Sequence, residues 1–399
     1  MSDIEQPPRR RRSRWGLYAM PILVLVLAAG WSGFWFYAAS KIDDALDGWR
    51  AREAKSGRIY DCTNRSVGGF PFRLEVHCNG ASVSLVSQTA EQAASRTPIT
   101  ARLADIFVIA QIYDPSLIIA EFTGPVTFTD IGQQPSFVAN WSKGRASVVG
   151  LPFSPQRTSF DFDNPALDRM SGDQQVPLIR ANHMEFHARL AEGSVADNPV
   201  IETVLQLNGA SVQGVHAVLQ EPFNADIRGQ IRGLKDLSPK PWPVRFREIQ
   251  AAGGRIDITQ SRVEQGDLLS LAAGSLSINA NGKLDGQLEM TVAGLEKIIP
   301  ALGLDRLLDQ GVSQSAIDKM APGVKASDVN NVIGALDKMI PGLGNLARKN
   351  ANAGIAAGIN MLGQPTTLEG RKAIAVPLKF VDGAIFLGPL QVAQTPPLY

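Results

Sequence analysis

From Ser275 to Val292 the chain alternates with period two. Even positions read Leu276, Ile278, Ala280, Gly282, Leu284, Gly286, Leu288, Met290 and Val292; odd positions read Ser275, Ser277, Asn279, Asn281, Lys283, Asp285, Gln287, Glu289 and Thr291. Successive side chains of a strand point to opposite faces, so this pattern predicts strands with one apolar and one wet face. The parity also constrains the turn. Asn281-Gly282 invites a two-residue hairpin loop, which would pair Ala280 with Lys283 and mix the faces. Keeping Ile278 and Leu284 on one side needs an odd count, so a loop of three or five residues, or a bulge, is expected.

Further strands are expected at Ala81–Val86, Asp105–Ile112, Leu117–Phe122, Val126–Phe128, Met184–Leu190, Val204–Leu207, Arg255–Thr259 and Val376–Phe380. Turn signals at Asp114-Pro115, Gly124-Pro125, Gly150 to Pro152 and Asn208-Gly209 separate several of them. The exception is 294–362, where Leu295, Ile298, Ile299, Leu302 and later Val329, Val332, Ile333 and Leu336 recur near period 3.6. The expected class is mainly β (α+β): a curved antiparallel β-rich domain with a C-terminal helical insertion at 294–362, packed on the sheet or capping one end. No repeat of fixed length is evident.

The start of the chain is different. Leu17–Ala39 are 23 residues without a charge, enough for a helix to cross a bilayer, which takes roughly 20. Arg9, Arg10, Arg11, Arg12 and Arg14 precede this run, so 1–16 is expected to be a basic cytoplasmic tail and 17–39 a transmembrane anchor. Trp31, Phe34, Trp35, Phe36 and Tyr37 crowd the exit end, where aromatic rings favour the headgroup layer. A cleaved signal peptide is the competing reading, with Ala38-Ala39-Ser40 as a small-residue cleavage site; the apolar run is longer than a signal's core of about 7–15 residues. Either way the body is exported, and the expected location is the inner membrane with the C-terminal domain periplasmic. Ile42, Ala45, Leu46 and Trp49 lie at helical spacing, so 40–60 is expected to be a helical stem and 61–399 the exported domain.

Charge changes the picture mainly by exclusion. The chain totals +1 and its first 40 residues +3, leaving −2 for the rest. A near-neutral body does not suit nucleic acid, which calls for a broad positive surface. Cys62 and Cys78 are the only cysteines. A redox or metal pair would ordinarily use Cys-x-x-Cys spacing or further ligands, so a structural disulfide is expected in an oxidising compartment.

Candidate chemistry is sparse. His183 and His187 flank Glu185, the residue types of a two-histidine, one-carboxylate metal site. In a strand, however, these three and Arg189 share the wet face opposite Met184, Phe186, Ala188 and Leu190, and the helical His-Glu-x-x-His spacing is absent. His77 also falls on a polar face, and His216 stands alone. Asp161, Asp163 and Asp168 are carboxylates that the sequence alone does not bring together as acid and base. No nucleophile elbow, phosphate loop or dinucleotide fingerprint is present, and Gly354 to Gly358 is a small-residue pair suited to close helix packing. No catalytic residue, metal or cofactor is assigned, and no enzyme is expected.

Gly68-Gly69-Phe70-Pro71-Phe72-Arg73-Leu74, the segment Phe380-Val-Asp-Gly383-Ala-Ile-Phe-Leu-Gly388-Pro389 and Pro396-Pro397-Leu398 resemble an uncharacterised bacterial envelope family, the domain of unknown function numbered 2125, over about 20–399. Gly274 to Met290 is similar, more loosely, to strand repeats of AsmA-like envelope proteins. Those join an N-terminal anchor to an exported β-groove that handles lipid, and the Gly-Phe-Pro-Phe segment is similar to tubular periplasmic lipid-binding folds. The resemblance implies a non-catalytic, membrane-anchored envelope protein with the membrane as partner and a lipid or another apolar envelope component as ligand. The alternative is a structural or assembly factor whose core is filled by side chains. No protein partner is assigned.

Overall fold

The computed structural model describes residues 15–85, 99–129, 135–151, 154–172, 174–214, 217–238, 240–294, 363–387 and 390–399. Helix α1 runs unbroken over Trp15–Lys55, a length of about 60 Å. The segments expected as anchor and stem are therefore one continuous helix, which ends five residues before the end expected for the stem. Ser56 and Gly57 close it: their N–H groups donate to the carbonyls of Glu53 and Ala54, and Gly57 has φ +76°, the left-handed C-terminal stop that favours glycine. The arginine-rich tail lies outside the described residues.

Strands β1 (Arg58–Gly68), β2 (Arg73–Leu85), β3 (Ile99–Gln111) and β4 (Asp114–Thr129) form an antiparallel meander. Then come β5 (Pro135–Asn140), β6 (Lys143–Val149), β7 (Arg157–Asp163), β8 (Ala166–Ser171), β9 (Gln174–Arg180) and β10 (His183–Leu190). The sheet forks at β4. Its residues 117–122 pair with β6, which leads through β7 to β10, while 126–129 pair with β5, which leads through β8 to β9. Both branches meet again on β11 (Ile201–Val212). A second meander follows through β12 (Phe223–Ile231), β13 (Arg255–Gln265), β14 (Leu268–Ile278) and β15 (Leu284–Ala293). It ends on β17 (Arg371–Val381), which carries β16 (Gln364–Leu368) and β18 (Ala384–Leu387) on its far edge, with β19 (Leu390–Gln394) beyond. All these pairings are antiparallel. Neighbouring strands rotate by roughly 20°, so so wide a sheet cannot be flat.

The two turn signals that failed mark the fork. Gly124-Pro125 lies inside β4, where the pairing with β3 shifts register and β4 changes its other partner. A proline lacks the N–H of a ladder bond and is tolerated where the ladder is already broken. Asn208-Gly209 lies inside β11 as a bulge between Leu207 and Ala210, beside the point where β9 replaces β10 as partner. Leu117–Phe122 and Val126–Phe128 are accordingly one strand.

The β14–β15 loop is the five residues 279–283, as parity required. Asn279 Oδ1 accepts from the N–H groups of Asn281 and Lys283 at 2.9 and 3.0 Å. Gly282, at φ +73°, lies under the Tyr399 ring, which a Cβ would meet at 3.2 Å. Arg247 covers the same ring at 4.9 Å from its centroid.

The sequence patterns did not announce the helix α3 (Trp242–Ala251), which follows a short α2 (Ala217–Gln220). Pro241 and Pro243 suit its first turn, where a missing N–H costs nothing. Its Ile249 buries against Leu234 and Ile278. The helical insertion expected at 294–362 lies outside the described residues, save Gly294.

Candidate functional site

Tracing the registers from β17 back to β2 separates two chemically different faces. Val376, Leu378 and Phe380 oppose Met290, Leu288 and Gly286. Leu288 opposes Gly274, next to Leu276 on the same face of β14, and Leu276 opposes Ile256. Ile256 opposes Ile231, which opposes Ile201, while Ile227 opposes Leu205 and Ala225 opposes Leu207. Leu205 and Leu207 oppose Phe186 and Met184, and these oppose Phe160 and Phe162. Phe160 leads through Ala146, Ala120 and Val108 to Val76. Twelve strands thus present one apolar face, a path of roughly 50 Å at about 4.8 Å per strand.

Among the described residues that face is closed at one end only. Leu276, Leu288 and Phe380 form a buried cluster, and α3 covers Ile278 beside them. From β13 to β2 its large side chains, among them Ile231, Leu205, Phe186, Phe160, Val108 and Val76, are only half-buried. A filled core would bury such residues almost completely.

On β10 and β7 the opposite face is ionic. His183 Nδ1 meets Asp163 at 2.8 Å and its Nε2 meets Glu185 at 2.8 Å. A ring with a carboxylate at each nitrogen donates to both only when doubly protonated. The hydrogen bond to Glu185, then that to Asp163, therefore raises the His183 pKa. The two histidines hold the Glu185 carboxyl below its ordinary range, His183 more strongly. His187 Nε2 meets the other Glu185 oxygen at 2.9 Å, and its Nδ1 meets Ser159 Oγ at 2.9 Å.

The structure thus adds to the expected His183, Glu185 and His187 three cross-strand residues, Asp161, Asp163 and Ser159, that no local pattern could place. Only pairing of β7 with β10 brings them together. Asp161, Asp163 and His183 hold their ligand-type atoms within 4.8 Å of one another. Both His183 nitrogens already have carboxylate partners, so the set is internally satisfied. Ser159, His187 and Glu185 lie in the order of a nucleophile, a base and an orienting carboxylate. Acyl transfer also needs N–H donors aimed at the developing oxyanion. Strand β7 pairs with β6 on one side and β10 on the other, which commits its backbone donors to the ladders.

The remaining candidates scatter. Asp168 is buried on β8 and pairs with Arg180, away from the histidines. His77 stands on the polar face as expected, yet stacks on Phe107 with ring centroids 4.1 Å apart. His216 and the Gly354–Gly358 pair lie outside the described residues. Cys62 on β1 and Cys78 on β2 are joined as a disulfide, with Cα atoms 5.6 Å apart. Closing a 16-residue separation contributes about 3 kcal/mol in the chain-entropy account.

The motif at Phe380–Gly383 has a structural basis. The Asp382 carboxylate takes hydrogen bonds from Lys283 Nζ at 2.9 Å, Asn281 Nδ2 at 3.1 Å and Asn279 Nδ2 at 3.0 Å. These hold its pKa at about 2, with Lys283 the leading cause. Two segments a hundred residues apart are tied there. Gly388 and Pro389 lie outside the described residues.

Comparison with curated proteins finds no match, and the expected similarity to AsmA-like envelope proteins is not shown. A family match, by contrast, runs over residues 35–396; it takes in the Gly-Phe-Pro-Phe segment and the Asp382-Gly383 turn. On that extent the chain belongs to the family described as an uncharacterized protein conserved in bacteria, DUF2125.

Proposed function

We propose that this chain is a non-catalytic, membrane-anchored protein of the bacterial envelope that carries an acyl-chain lipid on the apolar face of its sheet. The observation carrying this reading is the register-continuous strip from β17 to β2, only half-buried over most of its length. Contiguous apolar surface of this extent is rare on soluble proteins and marks a binding surface. An aliphatic strip along a sheet suits extended acyl chains, with polar headgroups left to solvent. Helix α1, long and apolar enough to cross a membrane, keeps such a carrier beside its lipid supply. Under this reading α1 stays uncleaved, the basic tail is cytoplasmic and the β domain is periplasmic, where the Cys62–Cys78 disulfide persists. Helix α1 also supports retention by its fit to the domain. Asp43 and Asp47 pair with Arg65 of β1, Arg50 with Asp61, and Glu53 with Arg58.

The test is native mass spectrometry of the full chain in mild detergent, beside Leu205→Glu and Phe186→Glu variants that put charge at the centre of the strip. Phospholipid-sized adducts on the wild type, lost from both variants, are expected. A lipid-free wild type would sink the reading. It would favour the structural or assembly role instead.

A further inference from the structure

The turn between β1 and β2 combines features that suit a depth below the membrane surface. Arg73 N–H donates to Gly69 O at 3.0 Å to close it. Gly69 has φ +98°, and a Cβ there would lie 2.7 Å from Arg73 O. The turn faces Phe70 and Phe72 outward, 52% and 60% exposed. It is fixed to α1 by two indoles: Trp31 Nε1 donates to Pro71 O at 2.8 Å and Trp35 Nε1 to Arg73 O at 2.8 Å. Trp35 packs on Phe70, ring centroids 5.4 Å apart, and Trp31 on Phe72 at 6.2 Å. The β3–β4 turn joins them, with Ile112 N–H donating to Phe72 O at 3.1 Å and Tyr113 exposed alongside.

The helix supplies the depth scale. After its apolar run the first charge is Lys41. Trp31 lies ten residues before it and Trp35 six, or about 15 and 9 Å along the axis. In a hydrocarbon layer of about 30 Å spanned by Leu17–Ala39, the level of Trp31 falls within the leaflet where α1 emerges. A turn held there must satisfy its carbonyls internally, since no water is available. Four of its five carbonyls, those of Gly69, Pro71, Phe72 and Arg73, have a donor, and Pro71 carries no N–H to strand. Arg73 pairs with Glu75 at 3.3 Å and is long enough to reach the headgroups. In water the same surface would leave Phe34, Phe36, Tyr37, Phe70, Phe72 and Tyr113 wet.

We propose that Gly69–Arg73 is a wedge inserted into the acyl region of the leaflet where α1 emerges. It begins where Leu74 and Val76 start the apolar face, so the strip opens directly onto that leaflet. This rests on α1 being a retained membrane span and is independent of whether the strip carries lipid.

The full chain, its disulfide oxidised, is placed in phosphatidylcholine liposomes with an environment-sensitive fluorophore on Phe72→Cys, on Tyr113→Cys, on Leu25→Cys in the helix, or on Val195→Cys beyond β10. Lipids carrying a doxyl quencher on the acyl chain should extinguish most emission from positions 72, 113 and 25. They should spare position 195, where aqueous iodide quenches instead. Quenching at 25 with positions 72 and 113 behaving like 195 overturns the wedge and leaves the span intact. Failure at position 25 overturns both, whereas a lipid-free mass spectrum alone touches neither.

Discussion

Glu185 sits between two histidines, and its oxygens, one to each ring, organise the polar face of β10. Two opposed titrations follow. The raised His183 pKa contributes stability that is fully present below its unfolded value of 6.5 and lost as pH rises through the folded value. The lowered Glu185 pKa contributes stability present above 4.5 and lost as pH falls. His183→Gln should therefore lower the melting temperature most near pH about 5.5 and least near about 8.5, by an amount worth no more than about 1 kcal/mol for so open a site. Thermal melts of both proteins across that range measure it, and an equal gap at both ends would refute the assignment. The same network bears on catalysis. With its strand donors committed to ladders, Ser159 should not react with a fluorophosphonate serine probe; labelling abolished by Ser159→Ala would reverse the non-catalytic reading.

At the scale of elements, the sheet packs unevenly, and mutation should register this. Leu269 is 2% exposed, in a cluster with Ala293, Leu368 and Ala373. Leu205, on β11, is half-buried on the apolar strip. Leu269→Ala leaves a cavity and should cost about 2–5 kcal/mol. Leu205→Ala removes contacts that are only partly made and should cost less than half as much, as read by denaturant unfolding of each variant. Equal costs would mean that the strip is packed as tightly as the core. The edges follow a related logic. An exposed edge strand invites association, and β1 is lined by α1, whose Arg50 Nε donates to Tyr60 O at 2.9 Å while the Trp49 ring packs tilted on Tyr60 with centroids 4.6 Å apart.

For the whole molecule, alternation alone carried the mainly β, antiparallel class, the apolar character of one face and the five-residue loop after Ile278, because side-chain direction in a strand follows from sequence parity. The 23-residue uncharged run likewise dictated a long apolar helix, since backbone polar groups in an apolar setting must bond within the segment. Its fusion with the stem was less legible, although Ser56-Gly57 held the stop signal. Gly124-Pro125 and Asn208-Gly209 misled because a residue suited to a turn suits a bulge equally well, and only the partner strands distinguish the two. Tertiary structure alone decided which strands adjoin, hence that Asp163 and Ser159 reach the histidines of β10, that apolar faces of strands 300 residues apart join into one strip, and that Phe70 and Phe72 lie against α1. Such pairings depend on long-range registers, which no local period encodes.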